Sequence, residues 1–340
     1  MACVGGCTFG SDGVSGAPDS VGQAEDASTG DFDPTTGGLG GDGLDVDPED
    51  GTSSGPDTDD DDDTSGDDDD DDDLPSFEAC PDPMPEGWIF CEDFEGIESV
   101  PDLESVFAVV DTAGGRLAPT DVAGHSGSRS LRVAYDGINQ WNGRVGILFG
   151  GLPFDWTGPA YASDTHADEI WVRFHTRSDD DWPGIPPGQS MRIATLRGTN
   201  WTPPAQLNLI TVGGNLSPTA QAMGCMGCSG FDDWGNYPQL TVATASKPVY
   251  DDASATQWHC VELRLQLNTP GQADAQIDVS IDGELDAFAD DFDWRGSSEE
   301  GWNYVALHHW WSNPGTLVEV DRYYDDLIVS TAPIGGCGPS

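Results

Sequence analysis

The stretch Glu169–Arg177, EIWVRFHTR, gathers residues capable of chemistry on one side of a predicted β-strand. Side chains alternate along a strand, so Glu169, Trp171, Arg173, His175 and Arg177 share one face, while Ile170, Val172, Phe174 and Thr176 share the other. Such a cluster stands out in a chain with 12 Lys and Arg against 62 Asp and Glu. Arg192 and Arg197 follow, which places four of the twelve basic residues within 25 positions. A guanidinium holds a carboxylate through two parallel N–H donors. Neutralising a sugar carboxylate in this way acidifies the neighbouring C–H, and a histidine can then remove that proton. His175 is one such base. His308, in HHWWSNPG, is a second, with Tyr304 on the same face as a proton donor if that strand is regular. His308 and His309 are adjacent, so only one of them can face a groove. The plainer account is that arginines in an acidic domain find surface partners of little energetic weight, and that a histidine beside tryptophan is packed.

Sugar binding without chemistry asks for less. Aromatic rings stack on the apolar faces of pyranose rings, and Asn, Asp, Gln and Arg satisfy hydroxyls. Trp141, Trp171, Trp182, Trp201, Trp302 and Trp310 stand in polar or loop contexts where stacking is open to them, and about half of the twelve tryptophans are expected in the core.

The elements that must position these residues read as strands with turn signals between them. They are Ser130–Gly137, Arg144–Phe149, Glu169–Arg177, Met191–Arg197, Gln206–Val212, Pro238–Thr244 and Trp258–Asn268, then Ile277–Gly283, Trp302–Trp311 and Leu317–Ser330. In Trp258–Asn268, His259, Val261, Leu263, Leu265 and Leu267 form one face. Ile277, Val279 and Ile281 belong to its hairpin partner, which ends in a tight Asp282-Gly283 turn. Hardly any segment carries a helical apolar period. The expectation is an all-β, two-sheet antiparallel sandwich whose apolar faces meet, leaving the polar face of one sheet as a solvent-facing groove. Glu169, Trp171, Arg173, His175 and Arg177 are expected to line it.

Charge divides the chain. Twenty-four acids and no Lys or Arg precede Leu74, and the first basic residue is Arg116, so the remainder carries 38 acids against 12 bases. Residues 8–76 are mostly Gly, Asp, Ser, Thr and Pro and end in the runs Asp59–Asp63 and Asp67–Asp73. With little apolar surface to offset ordering entropy, this composition predicts a disordered acidic tether. No fixed period of ligands and glycines marks it as a calcium-binding repeat. Residues 77–340 form the predicted sandwich domain, long enough for one substantial core. No apolar run is long enough to span a membrane. The acidic balance argues against nucleic acid and anionic membrane surfaces as partners.

Residues 1–7, MACVGGC, resemble the end of a bacterial lipobox, with Cys7 as the lipidated cysteine. The basic start and apolar stretch of such a signal are missing, so the expectation includes a true start further upstream; a ragged N-terminus is the competing account. Setting aside Cys3 and Cys7 leaves Cys80, Cys91, Cys225, Cys228, Cys260 and Cys337, an even set suited to an oxidising, extracytoplasmic compartment. Of their fifteen pairings, Cys80–Cys91 is favoured as a local staple and Cys260–Cys337 as a clamp. Cys225–Cys228 is read as a small closed loop, because a redox pair wants a helix N-terminus and a zinc site a second ligand pair.

Three phrases carry a family resemblance. FCEDFEG resembles the opening strand of concanavalin A-like jelly-roll domains, WHCVELRLQLNTPGQADAQIDVSIDGEL their long hairpin, and YYDDLIVSTAPIGGC their closing strand. Together they span most of residues 77–340, and they resemble the LamG-like and polysaccharide-lyase-type domains of bacterial surface lipoproteins. The fold hosts binders, hydrolases and lyases, so the resemblance is specific for fold and not for chemistry. It implies a structural calcium ion held by Asp93 and Glu95 with Asp325 or Asp326, with no organic cofactor. The Arg-x-Glu-Leu-Arg and Gln-Ile-His motifs of alginate lyases are missing, as is the Glu-x-Asp-x-x-Glu pattern of related glucanases, which makes a hydrolase the poorer reading. The leading expectation is a monomeric, carbohydrate-binding jelly roll. It sits on the bacterial cell surface or outer membrane as a lipoprotein, or is secreted, and meets a membrane only through its lipid. The alternatives are β-elimination of a uronic-acid polymer, with His175 or His308 as base, and a non-catalytic adhesion or protein-interaction module.

Overall fold

The computed structural model describes residues 80–151, 158–179, 188–196, 205–212, 214–222, 239–251, 254–311, 319–335 and 337. Cys7, the tether, Trp182, Arg197, Trp201, Cys225 and Cys228 lie outside the described residues.

Among the described residues, fifteen strands and one short helix follow in the order β1 (Trp88–Glu92), α1 (Val100–Val106), β2 (Val109–Asp111), β3 (Leu117–Thr120), β4 (Ser130–Tyr135), β5 (Trp141–Leu148), β6 (Glu169–Ser178), β7 (Gly188–Ala194) and β8 (Ala205–Val212). They continue as β9 (Asn215–Ala222), β10 (Gln239–Val242), β11 (His259–Gln266), β12 (Ala275–Ile281), β13 (Glu284–Phe292), β14 (Tyr304–Trp311) and β15 (Val320–Ser330). Sheet A runs β13-β12-β11-β6-β15-β4-β3, with β1 also against β15. Sheet B runs β10-β9-β8-β7-β14-β5-β2. Every strand pairing is antiparallel.

The period-two patterns explain these assignments. Ile170, Val172 and Phe174 of β6 join Val261, Leu263 and Leu265 of β11 and Ile277, Val279 and Ile281 of β12 in one core with Val145 and Ile147 of β5, Met191 and Ile193 of β7, and Val305 and Leu307 of β14. One face of each sheet is therefore spent on the core. Helix α1 is preceded by Ser99 as its N-cap, has Pro101 in its first turn, where a missing N–H costs nothing, and buries Leu103.

The core is not wholly apolar. Arg322 of β15 lies between the sheets, with its guanidinium 3.9 Å from the Tyr250 ring centroid, 5.5 Å from that of Tyr135, and donating to Ser190 Oγ at 2.7 Å. Trp302 is also interior: it is 1 % exposed, meets Trp294 edge-on, and donates Nε1–H to the Leu265 carbonyl at 3.2 Å. The structure thus corrects its placement among stacking positions, because its indole is part of the interior.

Among the described residues, disulfides join Cys80 to Cys91 and Cys260 to Cys337, as the sequence favoured. The second closes a loop of 77 residues in sequence separation and anchors the segment that follows β15. That segment crosses the outer face of sheet A. Ile334 packs on Trp171 and Ile328, and Arg173 Nη1 donates to the Gly335 carbonyl at 2.8 Å. Replacing Cys260 and Cys337 together with serine is expected to cost about 2–5 kcal/mol of stability, given the length of the loop released. Denaturant unfolding reports that loss, and collisional quenching of tryptophan fluorescence should report newly exposed Trp171.

Candidate functional site

The residues singled out from the sequence divide between two opposite outer faces. Glu169, Trp171, Arg173, His175 and Arg177 do share one face of β6, but it is the outer face of sheet A, and most of it is covered. Trp171, Arg173 and His175 are buried. Glu169 accepts from Arg264 Nε at 2.6 Å, and Arg264 also reaches Asp278 at 3.1 Å and lies over the Trp171 ring. Arg177 is half-buried, donating to the Thr256 carbonyl and lying over the Tyr323 and Trp258 rings. Here the arginines serve cross-strand ion pairs and the anchoring of the segment after β15.

His308, Tyr304, Arg192 and Trp310 belong to sheet B. On β14, Val305, Leu307 and His309 point into the sandwich, so Tyr304, Ala306 and His308 occupy the outer face. The adjacent histidines are divided as their spacing demands. His309 is in the interior, with Nδ1 3.0 Å from the Tyr135 hydroxyl and its ring 4.9 Å from Tyr324. His308 faces out against Trp141, edge-on at 4.8 Å between centroids.

Register fixes the neighbours of these groups. One cross-strand row runs Gly146–Ala306–Arg192–Asn208–Thr219, and the next runs Leu148–Tyr304–Ala194–Gln206–Gln221. Arg144 of β5 is directly opposite His308. Asn208 is the hub of an amide network: its Oδ1 accepts from Gln189 Nε2 at 2.7 Å, Gln206 Nε2 at 3.2 Å and Arg192 Nε at 3.3 Å, while its Nδ2 donates to Gln221 Oε1 at 2.7 Å. The network is buried yet incompletely satisfied. Gln189 Oε1, Gln206 Oε1, Asn142 Oδ1 and Arg144 Nε have no hydrogen-bond partner among the described residues. A buried polar atom without a partner costs about 1–3 kcal/mol, and the three amide oxygens among these can accept from a ligand's hydroxyl donors.

Small residues shape this surface. A Cβ on Gly146 would lie 2.9 Å from the Tyr304 ring and 3.0 Å from its hydroxyl oxygen, so the Tyr304 side chain extends over β5 only because that position has none. Tyr304 is buried with Leu148, Ala194, Leu196 and Ala306. Burial, together with the charges of Arg192 and Arg144, pushes the His308 imidazole well below its ordinary pKa. It is neutral at neutral pH. Sequence reasoning missed Arg144, Gln189, Gln206, Asn208 and Gln221. The signal was the alternation in QLNLITV and RVGILF, whose polar members were passed over for the charged cluster on β6.

The four acids expected to hold calcium have hydrogen-bond partners within the protein. Glu95 Oε1 accepts the Ser128 and Arg129 N–H groups, each at 2.7 Å, and Asp93 Oδ1 accepts the Glu95 N–H at 3.1 Å. Asp325 and Asp326 instead meet the loop bearing His125: Asp325 Oδ2 accepts the His125 N–H at 2.7 Å, and Asp326 Oδ1 accepts Ser126 Oγ–H at 2.6 Å.

The opening strand β1 pairs with the second half of the closing strand β15, and the long hairpin β11–β12 lies beside β6 in the same sheet. The fold is a concanavalin A-like jelly roll. Among solved structures this jelly roll is similar to a PL-14 alginate lyase from Aplysia kurodai, at 12 % identity over 72 % of this chain and 99 % of that one, with a TM-score of 0.47. It is similar to an endo-β-1,4-glucuronan lyase from Trichoderma reesei, at 15 % identity over 72 % and 95 %, TM-score 0.46. It is also similar to the binding domain of botulinum neurotoxin DC in complex with SialylT, at 10 % identity over 61 % and 39 %, TM-score 0.37. These likenesses are of overall fold and assign no activity. No family profile and no curated protein matches the sequence.

The interior histidine makes a testable statement about acid. Burial, with the charge of Arg322, holds His309 well below its ordinary pKa. A group whose folded pKa is depressed gives its full stabilisation above the unfolded value and loses it as pH falls, because the unfolded chain takes up the proton first. Melting temperature should therefore decline as pH drops below about 6.5. His309→Gln, although less stable at neutral pH, should show a shallower decline over the same range.

Proposed function

We propose that the jelly roll binds an acidic polysaccharide across the outer face of sheet B. The observation that carries this reading is the Arg192–Asn208–Gln189–Gln206–Gln221 network, a buried polar face with a cation at its centre and partnerless amide oxygens around it. A uronate unit offers a carboxylate for Arg192 or Arg144 and hydroxyls for the amides. The negative balance of the rest of the domain disfavours anions everywhere else, so binding is directed to this face.

A second reading, β-elimination of the same polymer, is favoured by one further observation. The neutral His308 stands on the same face as Arg192 and Tyr304, so a base, a carboxylate neutraliser and a proton donor share one surface. In that reaction His308 takes the proton α to the carboxylate, the C–O bond to the leaving sugar breaks, and Tyr304 protonates the departing oxygen as a double bond forms in the ring. His175, on the opposite sheet, has no part in this scheme.

Two disulfides favour an oxidising, extracytoplasmic setting, and we place the domain at the cell surface on its acidic tether through a lipid on Cys7. Among the described residues no helix is long and apolar enough to cross a membrane. Intact mass of membrane-extracted protein should include a diacylglyceryl group on Cys7; a mass without it removes the anchor from this account.

The full chain is expected to be retained by at least one uronic-acid polymer in affinity electrophoresis. Arg192→Ala should weaken retention at least tenfold, about 1.4 kcal/mol. Ultraviolet absorbance of unsaturated uronide then separates the two readings. A rise that His308→Ala abolishes while retention persists establishes elimination, and retention without a rise leaves a binding module. Failure to retain any glycan transfers the domain to the protein-interaction class.

A further inference from the structure

On the outer face of sheet A, away from the amide network, three side chains from three distant parts of the chain converge. His125 Nδ1 is 2.7 Å and His175 Nδ1 3.0 Å from the same atom, Asp326 Oδ2. The three ligand atoms all lie within 4.8 Å of one another. The two imidazoles are stacked at 3.6 Å between centroids and 13° between planes.

The backbone is arranged to produce this meeting. In a regular strand Asp325 and Asp326 would face opposite sides. The register between β15 and β6 shifts between Asp325 and Ile328, and Asp326 adopts φ 49°, the left-handed region that a residue with a Cβ seldom occupies. This bulge turns Asp326 out beside Asp325 while Leu327 returns to the core. His125 is delivered by the loop between β3 and β4. That loop is itself held by Glu95, whose carboxylate takes the Ser128 and Arg129 N–H groups, and by Asp325, which takes that of His125.

Hydrogen bonding leaves the cluster incomplete. His175 is only 8 % exposed, and its Nδ1, though close to Asp326, does not meet the angular requirements of a hydrogen bond and has no other partner among the described residues. Two imidazole nitrogens and one carboxylate oxygen are ligands of zinc-type cations, whereas calcium takes six to eight oxygens.

We propose that His125, His175 and Asp326 form a binding site for a divalent first-row transition ion of the zinc type, with its remaining coordination position open to solvent beside His125. At bond lengths of about 2.0–2.1 Å, two ligands of a tetrahedral ion stand about 3.3 Å apart, and the three ligand atoms here lie within 4.8 Å of one another. Parallel rings cannot both direct their lone pairs at one ion. The exposed His125 ring therefore tilts out of the stack on binding, while the buried His175 and Asp326 stay in place. The bound ion would tie the loop between β3 and β4 to the centre of sheet A.

Titration of the full, metal-stripped chain with Co2+ tests the site by visible spectroscopy. The Asp runs before Leu74 offer only oxygen and give weakly absorbing octahedral sites; the proposed site should add a stronger d–d band that saturates at one equivalent and is displaced by Zn2+. His125→Ala, an exposed change, should weaken that affinity by at least about tenfold. His166→Ala, at an exposed histidine paired with Asp168, should leave it unchanged. His175→Ala and Asp326→Asn should also abolish the band, with circular dichroism confirming that each variant is folded. Lack of the band in the wild-type chain, an undiminished Co2+ affinity in His125→Ala, or displacement of the band by an equal concentration of Ca2+ would each overturn the proposal.

Discussion

One constraint organises this molecule: a strand has two faces, and the sandwich core takes one of them from every strand it uses. Ile170, Val172 and Phe174 are committed to the interior, so Trp171, Arg173 and His175 are turned outward whatever they go on to do. The same rule divides His308 from His309. Functional side chains are thus placed by the apolar residues between them, and a change in register would move every one to the wrong side.

The places where alternation breaks are as informative as those where it holds. Register shifts occur at Asp325/Ile328 in β15, at His309/Trp310 in β14 and at Gln189/Met191 in β7. Each lies beside a group discussed above: the carboxylates that meet His125, the pair of histidines divided between core and surface, and the amide network around Asn208. A bulge re-aims a side chain at the expense of a regular ladder, and the left-handed Asp326 is where that expense is clearest.

The two outer faces use their basic residues differently. On sheet A, Arg264 is absorbed by Glu169 and Asp278, and Arg173 holds the segment closed by the Cys260–Cys337 bond, so charge there fastens structure. On sheet B, strand pairing sets Arg192 between Ala306 and Asn208, and its Nε donates to Asn208 Oδ1.

Local pattern determined the all-β sandwich, most of its strands and their inward faces, the split of His308 from His309, and the favoured cysteine pairs. These are readable because alternation is a property of neighbouring residues, and the core selects the apolar set at every second position. Tertiary structure alone decided which outer face each strand contributes to. The period-two pattern of β6 is indistinguishable from that of β14, yet one strand belongs to sheet A and the other to sheet B. For the same reason Arg144, Gln206 and Asn208 drew no notice in sequence: each is an ordinary polar residue until β5, β7, β8 and β14 lie side by side. The meeting of His125 with His175 and Asp326 is further still from sequence, because it joins a loop to two strands through a bulge. A long-range register sets that contact, and local residue preference carries no record of it.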